Sequence, residues 1–255
     1  MANPKYWERE IKIEPDEVFS SKVKRLLETL PKDIKTIADV GCGNGKITNE
    51  LGKYFDVVGI DRSTQALKSV QTKKLQCSAD DIKLGDNSID LVFSSELLEH
   101  LEDQLLADTI SELKRISKKY IYVTVPNNES IKKNFVECIH CETIFNKTYH
   151  LRSFSIEKFG ELFPGYKILN HFTFGSKVRE YNQTLEKVKH KYANPNSWIP
   201  PKWTSKGHRK TVCPKCSKEF EIPYKFNLIS FICDKTNILI SPKKNWQLFV
   251  IMEKK

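Results

Sequence analysis

Thr36-Ile37-Ala38-Asp39-Val40-Gly41-Cys42-Gly43-Asn44-Gly45 sets a short apolar run directly against three glycines at alternate positions. The spacing predicts a buried strand that breaks into a tight turn. Glycine there lets the backbone take positive φ and admits a ligand closer than a Cβ would allow. Twenty residues beyond Gly41, a second apolar run, Val57-Val58-Gly59-Ile60, ends in Asp61, with Arg62 next to it. A carboxylate at the end of the second strand of such a unit is placed to grip ribose hydroxyls.

Outward from this turn the chain alternates strand and helix. Val18, Phe19, Val23, Leu26, Leu27 and Leu30 form one helical stripe over residues 16–30, and Pro31 marks its stop. Ahead of it, Tyr6 and Trp7 read as packing anchors, with folding over a cofactor as the other reading. After strand 36–40 the pattern predicts a helix at 45–53, a strand at 56–61, a helix at 63–72, strands at 75–79 and 89–94, a helix at 103–117 and a strand at 119–125. The runs Ile89-Asp-Leu-Val-Phe93 and Tyr120-Ile-Tyr-Val-Thr-Val125 are apolar enough to be covered on both faces, as parallel strands are. A helix at 156–163 stops at Pro164-Gly165, and strands at 166–174 and 246–252 close a doubly wound α/β sheet. Roughly 70 residues separate those last two strands, far more than a hairpin connection needs, so they form a structured insertion. The expected division is a core of 1–174 and 242–255 with an insertion of 175–241, in which Asn194-Pro195-Asn196 and Ile199-Pro200-Pro201 read as turns and Leu228 to Cys233 as a strand.

The formal charge of +10 is unevenly placed. Residues 175–255 hold 17 Lys+Arg against 6 Asp+Glu, whereas residues 1–174 hold 25 against 26. Such a basic back half is either a solvated surface or a face that attracts an anionic substrate: RNA, a nucleotide-linked sugar or a phosphorylated lipid. No apolar run approaches 18 residues and the N-terminus lacks a signal peptide's apolar core, so the expectation is a soluble, cytoplasmic protein without a membrane span. In that compartment the seven cysteines argue for metal or free thiols over a disulfide framework.

Asp39-Val-Gly-Cys-Gly-Asn-Gly45 resembles the first motif, Asp-x-Gly-x-Gly-x-Gly, of class I S-adenosylmethionine-dependent methyltransferases. A nicotinamide fold would place its third glycine at position 46, which is Lys46. The segment Ser78 to His100 is similar to the third and fourth strands of the same family, although position 78 is Ser where relatives often carry Asp. The resemblance implies a Rossmann-like, seven-stranded methyltransferase sheet that binds S-adenosylmethionine. It places Asp39 at the methionine end, Gly41, Cys42, Gly43 and Gly45 in the turn, Asp61 and Arg62 at the ribose, Ala79 and Asp80 at the adenine, and Ser94 and Ser95 beside the cofactor.

A sulfonium methyl is already a good electrophile, so such an enzyme mainly aligns the reactants and excludes water. For a hydroxyl nucleophile a general base helps, and His100, just past the fourth strand, is the candidate; the other reading is a helix-orienting residue. Asn127 after Val125-Pro126 is a candidate to position substrate, or only a turn residue. Glu96, Glu99 and His100 also resemble the Glu-x-x-Glu-His metal ligands of RNA 3′-terminal ribose 2′-O-methyltransferases, with His150 as the completing histidine.

Cys138-Ile-His-Cys141 and Cys213-Pro-Lys-Cys216 are two Cys-x-x-Cys knuckles separated by 71 residues. Two such pairs make the four-thiolate shell of structural zinc, with His140 a lesser contender; a shared ion would staple the insertion near the substrate-binding edge. Cys77 and Cys233, like Cys42, also read as small core residues. Cys138-x-x-Cys141 followed by His150-Leu-Arg-Ser-Phe154 resembles a bacterial branch of the family linked to glycan or secondary-metabolite modification; relatives usually have Gly after the second cysteine, where this chain has Glu142 and Ser217. The resulting expectation is an O-methyltransferase acting on an anionic small-molecule or glycan-type acceptor. The alternatives are an RNA methyltransferase, with Trp198, Trp203, Lys206, Arg209 and Lys210 as a binding cluster, and a zinc-ribbon interaction protein on a degenerate scaffold.

Overall fold

A computed structural model describes residues 16–197 and 209–255. Tyr6, Trp7, Trp198, Ile199-Pro200-Pro201, Trp203 and Lys206 lie outside the described residues. The chain divides into two compact units, each treated separately below. Among the described residues, the first takes in 16–128, 154–176 and 245–255, and the second takes in 129–153, 177–197 and 209–244. Residues 129–153, which the sequence reading assigns to the core, therefore group with the insertion.

The first unit is built on a seven-stranded sheet. Its strands are β1 (Thr36–Val40), β2 (Asp56–Asp61), β3 (Lys73–Gln76), β4 (Ile89–Ser95), β5 (Ser117–Pro126), β8 (Tyr166–Arg179) and β11 (Lys243–Lys254), in the order β3-β2-β1-β4-β5-β11-β8. β1 to β5 run parallel, and β11 returns antiparallel beside β5. Helices α1 (Asp16–Thr29), α2 (Lys46–Leu51), α3 (Thr64–Leu67), α4 (Asp103–Ile116) and α5 (Ile156–Leu162) accompany the sheet. Because side chains alternate across a strand, Ile121 and Val123 enter one core cluster with Leu106, Ile110 and Leu113 of α4, while Tyr122 enters another with Leu26, Phe93 and Phe249. Burial on both faces explains the unbroken apolar runs of β4 and β5. Tyr122 keeps its hydroxyl satisfied at 2.8 Å from Thr29 Oγ1.

The helix predicted over 63–72 is shorter. Ser63 caps it by accepting from Ala66 N at 3.2 Å, but beyond Leu67 the chain continues through tighter i→i−3 bonds, ending with Val70 N to Leu67 O at 3.2 Å. That tightening sets Val70 beneath Gly45.

Among its described residues the second unit carries two hairpins, β6 (Phe135–Glu137) with β7 (Ile144–Asn146) and β9 (Lys210–Val212) with β10 (Glu219–Glu221), and the α-helices α6 (Gln183–Tyr192) and α7 (Leu228–Ile240). The strand expected over Leu228 to Cys233 is instead the start of α7. A short apolar β-branched run does not separate strand from helix by itself. Asn227 decides it by capping the helix, its side chain accepting from Ser230 N at 2.9 Å, after which the helix runs 13 residues.

Candidate functional site

Since β1 to β5 run parallel, their carboxyl ends share one edge of the sheet, and the candidate cofactor residues sit along it. The turn after β1 is pinned by Gly41 N and Cys42 N, which donate to Ile60 O at 2.8 and 3.0 Å. Gly41, Gly43 and Gly45 take φ of 76°, 54° and 74°, the left-handed region that a side chain disfavours. Asp61 ties the two strand ends together: one carboxylate oxygen accepts from Gly43 N at 2.9 Å and the other from Ser63 N at 2.8 Å. Asp39 is buried under the turn and accepts from Thr48 Oγ1 at 2.6 Å. Burial, aided by the Asp61 charge, pushes its pKa up to about 7, against the pull of the Thr48 hydrogen bond and Lys22. Burial likewise pushes the Cys42 thiol upward, so this cysteine stays a neutral, small side chain. Lys46, where a dinucleotide turn would carry glycine, lays its ammonium 4.1 Å over the Phe19 ring.

The remaining expected residues follow the same edge. Arg62 is exposed, Ala79 and Asp80 are half-buried beyond β3, and Ser78 donates its hydroxyl to Asp80. Ser94 is buried and its hydroxyl donates to Val40 O at 3.0 Å, while Ser95 Oγ lies 2.8 Å from Thr124 Oγ1. His100 closes a 3-10 turn, Leu98–His100, with Nε2 3.9 Å from a carboxylate oxygen of the buried Glu99. Asn127 is held to the last strand, its backbone N donating to Trp246 O at 2.7 Å and its Nδ2 to Asn245 O at 3.1 Å. His150 belongs to the second unit and is paired with Glu129. The expected set is therefore distributed between the two units.

Glu96 is a position whose geometry the sequence does not reveal. Its φ is +53°, a sparsely populated conformation for a residue with a side chain, right at the end of β4. Its Oε1 accepts from Thr124 Oγ1 at 3.2 Å and from Gln247 Nε2 at 3.1 Å. Gln247 arrives from the last strand, 151 residues later, so no local pattern signals this contact.

Within the second unit, Cys138, Cys141, Cys213 and Cys216 bring their sulfurs within 4.8 Å of one another. Cys138 and Cys216 sulfurs lie 3.7 Å apart and those of Cys141 and Cys213 3.5 Å apart. Disulfide bonding requires about 2.05 Å, whereas four thiolates at about 2.3 Å from one tetrahedral zinc lie about 3.8 Å from each other. The donor set therefore fits such an ion. The two knuckles also fold alike. Cys138 O and Cys213 O each accept from the residue four positions on, Glu142 N and Ser217 N, both at 3.0 Å. The donor residues take φ of 58° and 59°, so Glu142 and Ser217 adopt the left-handed conformation that glycine would supply. Thr143 hydrogen bonding lowers Cys141 to about 6, and burial raises Cys213 to about 12. Any metal would have to displace the Cys213 proton.

A family model described as a methyltransferase domain matches residues 38–122, the stretch holding every candidate cofactor residue. Over 150 residues the chain is 31% identical to an uncharacterised protein of Methanocaldococcus jannaschii, covering 56% of this chain and 64% of that protein. An O-methyltransferase of Penicillium expansum is 32% identical over 117 residues, 40% of this chain and 42% of the other. The chain thus spans less than two thirds of the length of these curated relatives. A solved S-adenosylmethionine-dependent methyltransferase from Archaeoglobus fulgidus superposes with a TM-score of 0.56 over 94% of this chain and 95% of that one, at 18% identity. Residues 38–122 accordingly match the methyltransferase-domain family, and the fold is one shared with a solved S-adenosylmethionine-dependent methyltransferase.

Proposed function

We propose that the protein transfers a methyl group from S-adenosylmethionine to a hydroxyl of an anionic small-molecule or glycan-type acceptor. The observation that carries the reading is the Asp61 bridge to Gly43 N–H, which fixes the glycine turn at the sheet edge inside the methyltransferase-domain match. In this reading Gly41, Cys42, Gly43 and Gly45 cradle the cofactor, Asp61 and Arg62 face its ribose, Ala79 and Asp80 its base and Asp39 its methionine end, with Ser94 and Ser95 beside it. The bound cofactor supplies an electrophilic methyl on sulfur. Asp39, its pKa raised by burial to about 7, carries only part of a negative charge beneath it at neutral pH. His100, backed by Glu99 at 3.9 Å, is the group assigned to take the acceptor proton, because a neighbouring carboxylate stabilises the imidazolium that forms. Asn127 orders the adjoining strand ends and so positions the acceptor.

The four cysteines are assigned a structural zinc, because four protein thiolates leave no open coordination position. The Cys138 knuckle and the His150-Leu-Arg-Ser-Phe154 segment favour the branch resemblance and its glycan-type acceptors, and the likeness to an O-methyltransferase favours oxygen as the methylated atom.

Calorimetry with S-adenosylhomocysteine tests the cofactor assignment. Asp61→Ala should weaken binding by about 1–3 kcal/mol, the range for a lost hydrogen bond to a charged group; an unchanged affinity would refute it. Methyl transfer to RNA but to no small anionic hydroxyl compound, with binding that falls steeply with salt, would replace the acceptor class with nucleic acid.

A further inference from the structure

Helix α7 is turned inside out. Its buried residues include Ser230, Asp234 and Asn237, which share one helical face at i, i+4 and i+7. Each is locked in place. Ser230 Oγ donates to Ser197 O at 2.7 Å. Asp234 accepts from Lys189 Nζ at 2.6 Å and from the Tyr181 hydroxyl at 2.7 Å, with Lys189 only 1% exposed. Asn237 donates to Glu180 O at 2.9 Å while its side-chain oxygen accepts from Asn182 N at 2.8 Å and Ser241 Oγ at 2.7 Å. Turning the helix to bury its apolar side would break this network and strand the buried Lys189 and Asp234.

The outward face is apolar. Leu228, Phe231, Ile232, Ile238, Leu239 and Ile240 are all exposed, Leu239 by 85%. Phe226, just ahead of the helix, is 66% exposed with its ring 6.2 Å from that of Phe231. An exposed apolar face of this kind marks an interaction surface. Its surroundings identify the partner's charge. Lys225 and Lys243, three residues beyond either end of α7, and Lys235, on its outward face with Nζ 5.6 Å from the Phe231 ring centroid, are exposed. An apolar, Phe-bearing helical face that carries a lysine and is flanked by others matches the composition of helices that lie in the interface of anionic membranes. Two copies of such a lysine-rimmed face would set like charges against each other, which disfavours self-association through it. With 13 residues α7 is far short of the roughly 20 needed to span a bilayer, and no described helix is long and apolar enough to cross one.

We propose that α7 lays its apolar face on the surface of an anionic lipid bilayer, its flanking lysines on the headgroups, and so anchors the protein to a membrane without crossing it. The test is flotation of the full-length protein with vesicles of phosphatidylcholine alone and with added phosphatidylglycerol. Wild type should float with the anionic vesicles, only weakly with the neutral ones, and be released by salt. Ile232→Glu combined with Leu239→Glu should lower the partition coefficient by about tenfold or more, since both apolar side chains would otherwise leave water. Lys225→Glu with Lys235→Glu and Lys243→Glu should abolish the preference for anionic vesicles. All five positions are exposed, and circular dichroism and thermal unfolding should match wild type for both variants. The proposal is overturned if wild type does not float, or if the Ile232→Glu/Leu239→Glu variant floats equally. Sedimentation velocity showing a wild-type dimer that this variant dissociates, with no vesicle binding, would assign the face to a second copy instead.

Discussion

Gly45→Ala is the sharpest probe of the turn that positions the candidate cofactor residues. At φ +74° an added methyl incurs the left-handed penalty of about 1–2 kcal/mol. The methyl would also sit 2.6 Å from Val70 Cγ2, closer than real Cβ contacts come, and a tight 3.1 Å from Val70 Cα. Overpacking of this sort typically costs about 1–3 kcal/mol, so the expected loss is about 2–5 kcal/mol in unfolding free energy from urea titration. Val70→Ala removes the nearer clashing atom but leaves the backbone contact and the φ penalty. The double variant should therefore lose less than the sum of the single losses, by about 1 kcal/mol or more. Gly160→Ala supplies the contrast, because it lies within α5 with nothing inside 4 Å, and should gain about 0.5–1 kcal/mol from helix propensity. A Gly45→Ala protein within about 0.5 kcal/mol of wild type, or strict additivity with Val70→Ala, would refute the geometry assigned to this turn.

Asp39 gives a pH signature. Its folded-state pKa of about 7 lies above the ordinary 3.8, so the folded chain holds the proton more tightly; the contribution is complete below pH 4 and lost as pH rises through 7. Cofactor-free wild type should lose stability across that window relative to Asp39→Asn, at no more than about 1.4 kcal/mol per pH unit, and parallel profiles would contradict the burial argument. For the cysteines, purified protein should carry one zinc per chain, and Cys213→Ser with Cys216→Ser should lose both the ion and the chelator-sensitive part of the thermal stability; zinc retained by that variant would dismiss the site. Glu142→Gly and Ser217→Gly should each be neutral or stabilising by up to about 1 kcal/mol, because glycine takes the left-handed turn without a Cβ. A clear loss of stability at both positions would show that the Cβ is tolerated there and that the turns are not strained.

The strands of the sheet were legible because their signals are local. β1, β2, β4 and β5 are apolar runs, and burial on both faces of a parallel sheet demands that composition wherever such strands sit. The Asp39 to Gly45 turn was legible for a similar reason: positive φ at Gly41, Gly43 and Gly45 is a single-residue property that leaves a mark in residue type. Glu96, Glu142 and Ser217 take the same region without glycine, held there by their surroundings, and residue type gives no sign of it.

α7 shows where local reading stops. Leu228 to Cys233 is apolar and β-branched, which reads equally as a strand, and sequence patterning assumes that apolar residues point inward. Whether a face is buried depends on which partners arrive from elsewhere in the chain. Here Lys189, Tyr181, Asn182 and Ser197 capture the polar side and leave the apolar side outward. By itself, the sequence determined the parallel strands β1, β2, β4 and β5, the glycine turn with Asp61, and the two cysteine pairs, since each follows from period, residue type or spacing along a few residues; β3, expected at 75–79, lies at Lys73–Gln76. Only the tertiary structure decided that Gln247 would meet Glu96, that the two knuckles would close on one another, and that α7 would face outward. Each of those depends on contacts between segments far apart in the chain, whose pairing is set by the packing of the whole.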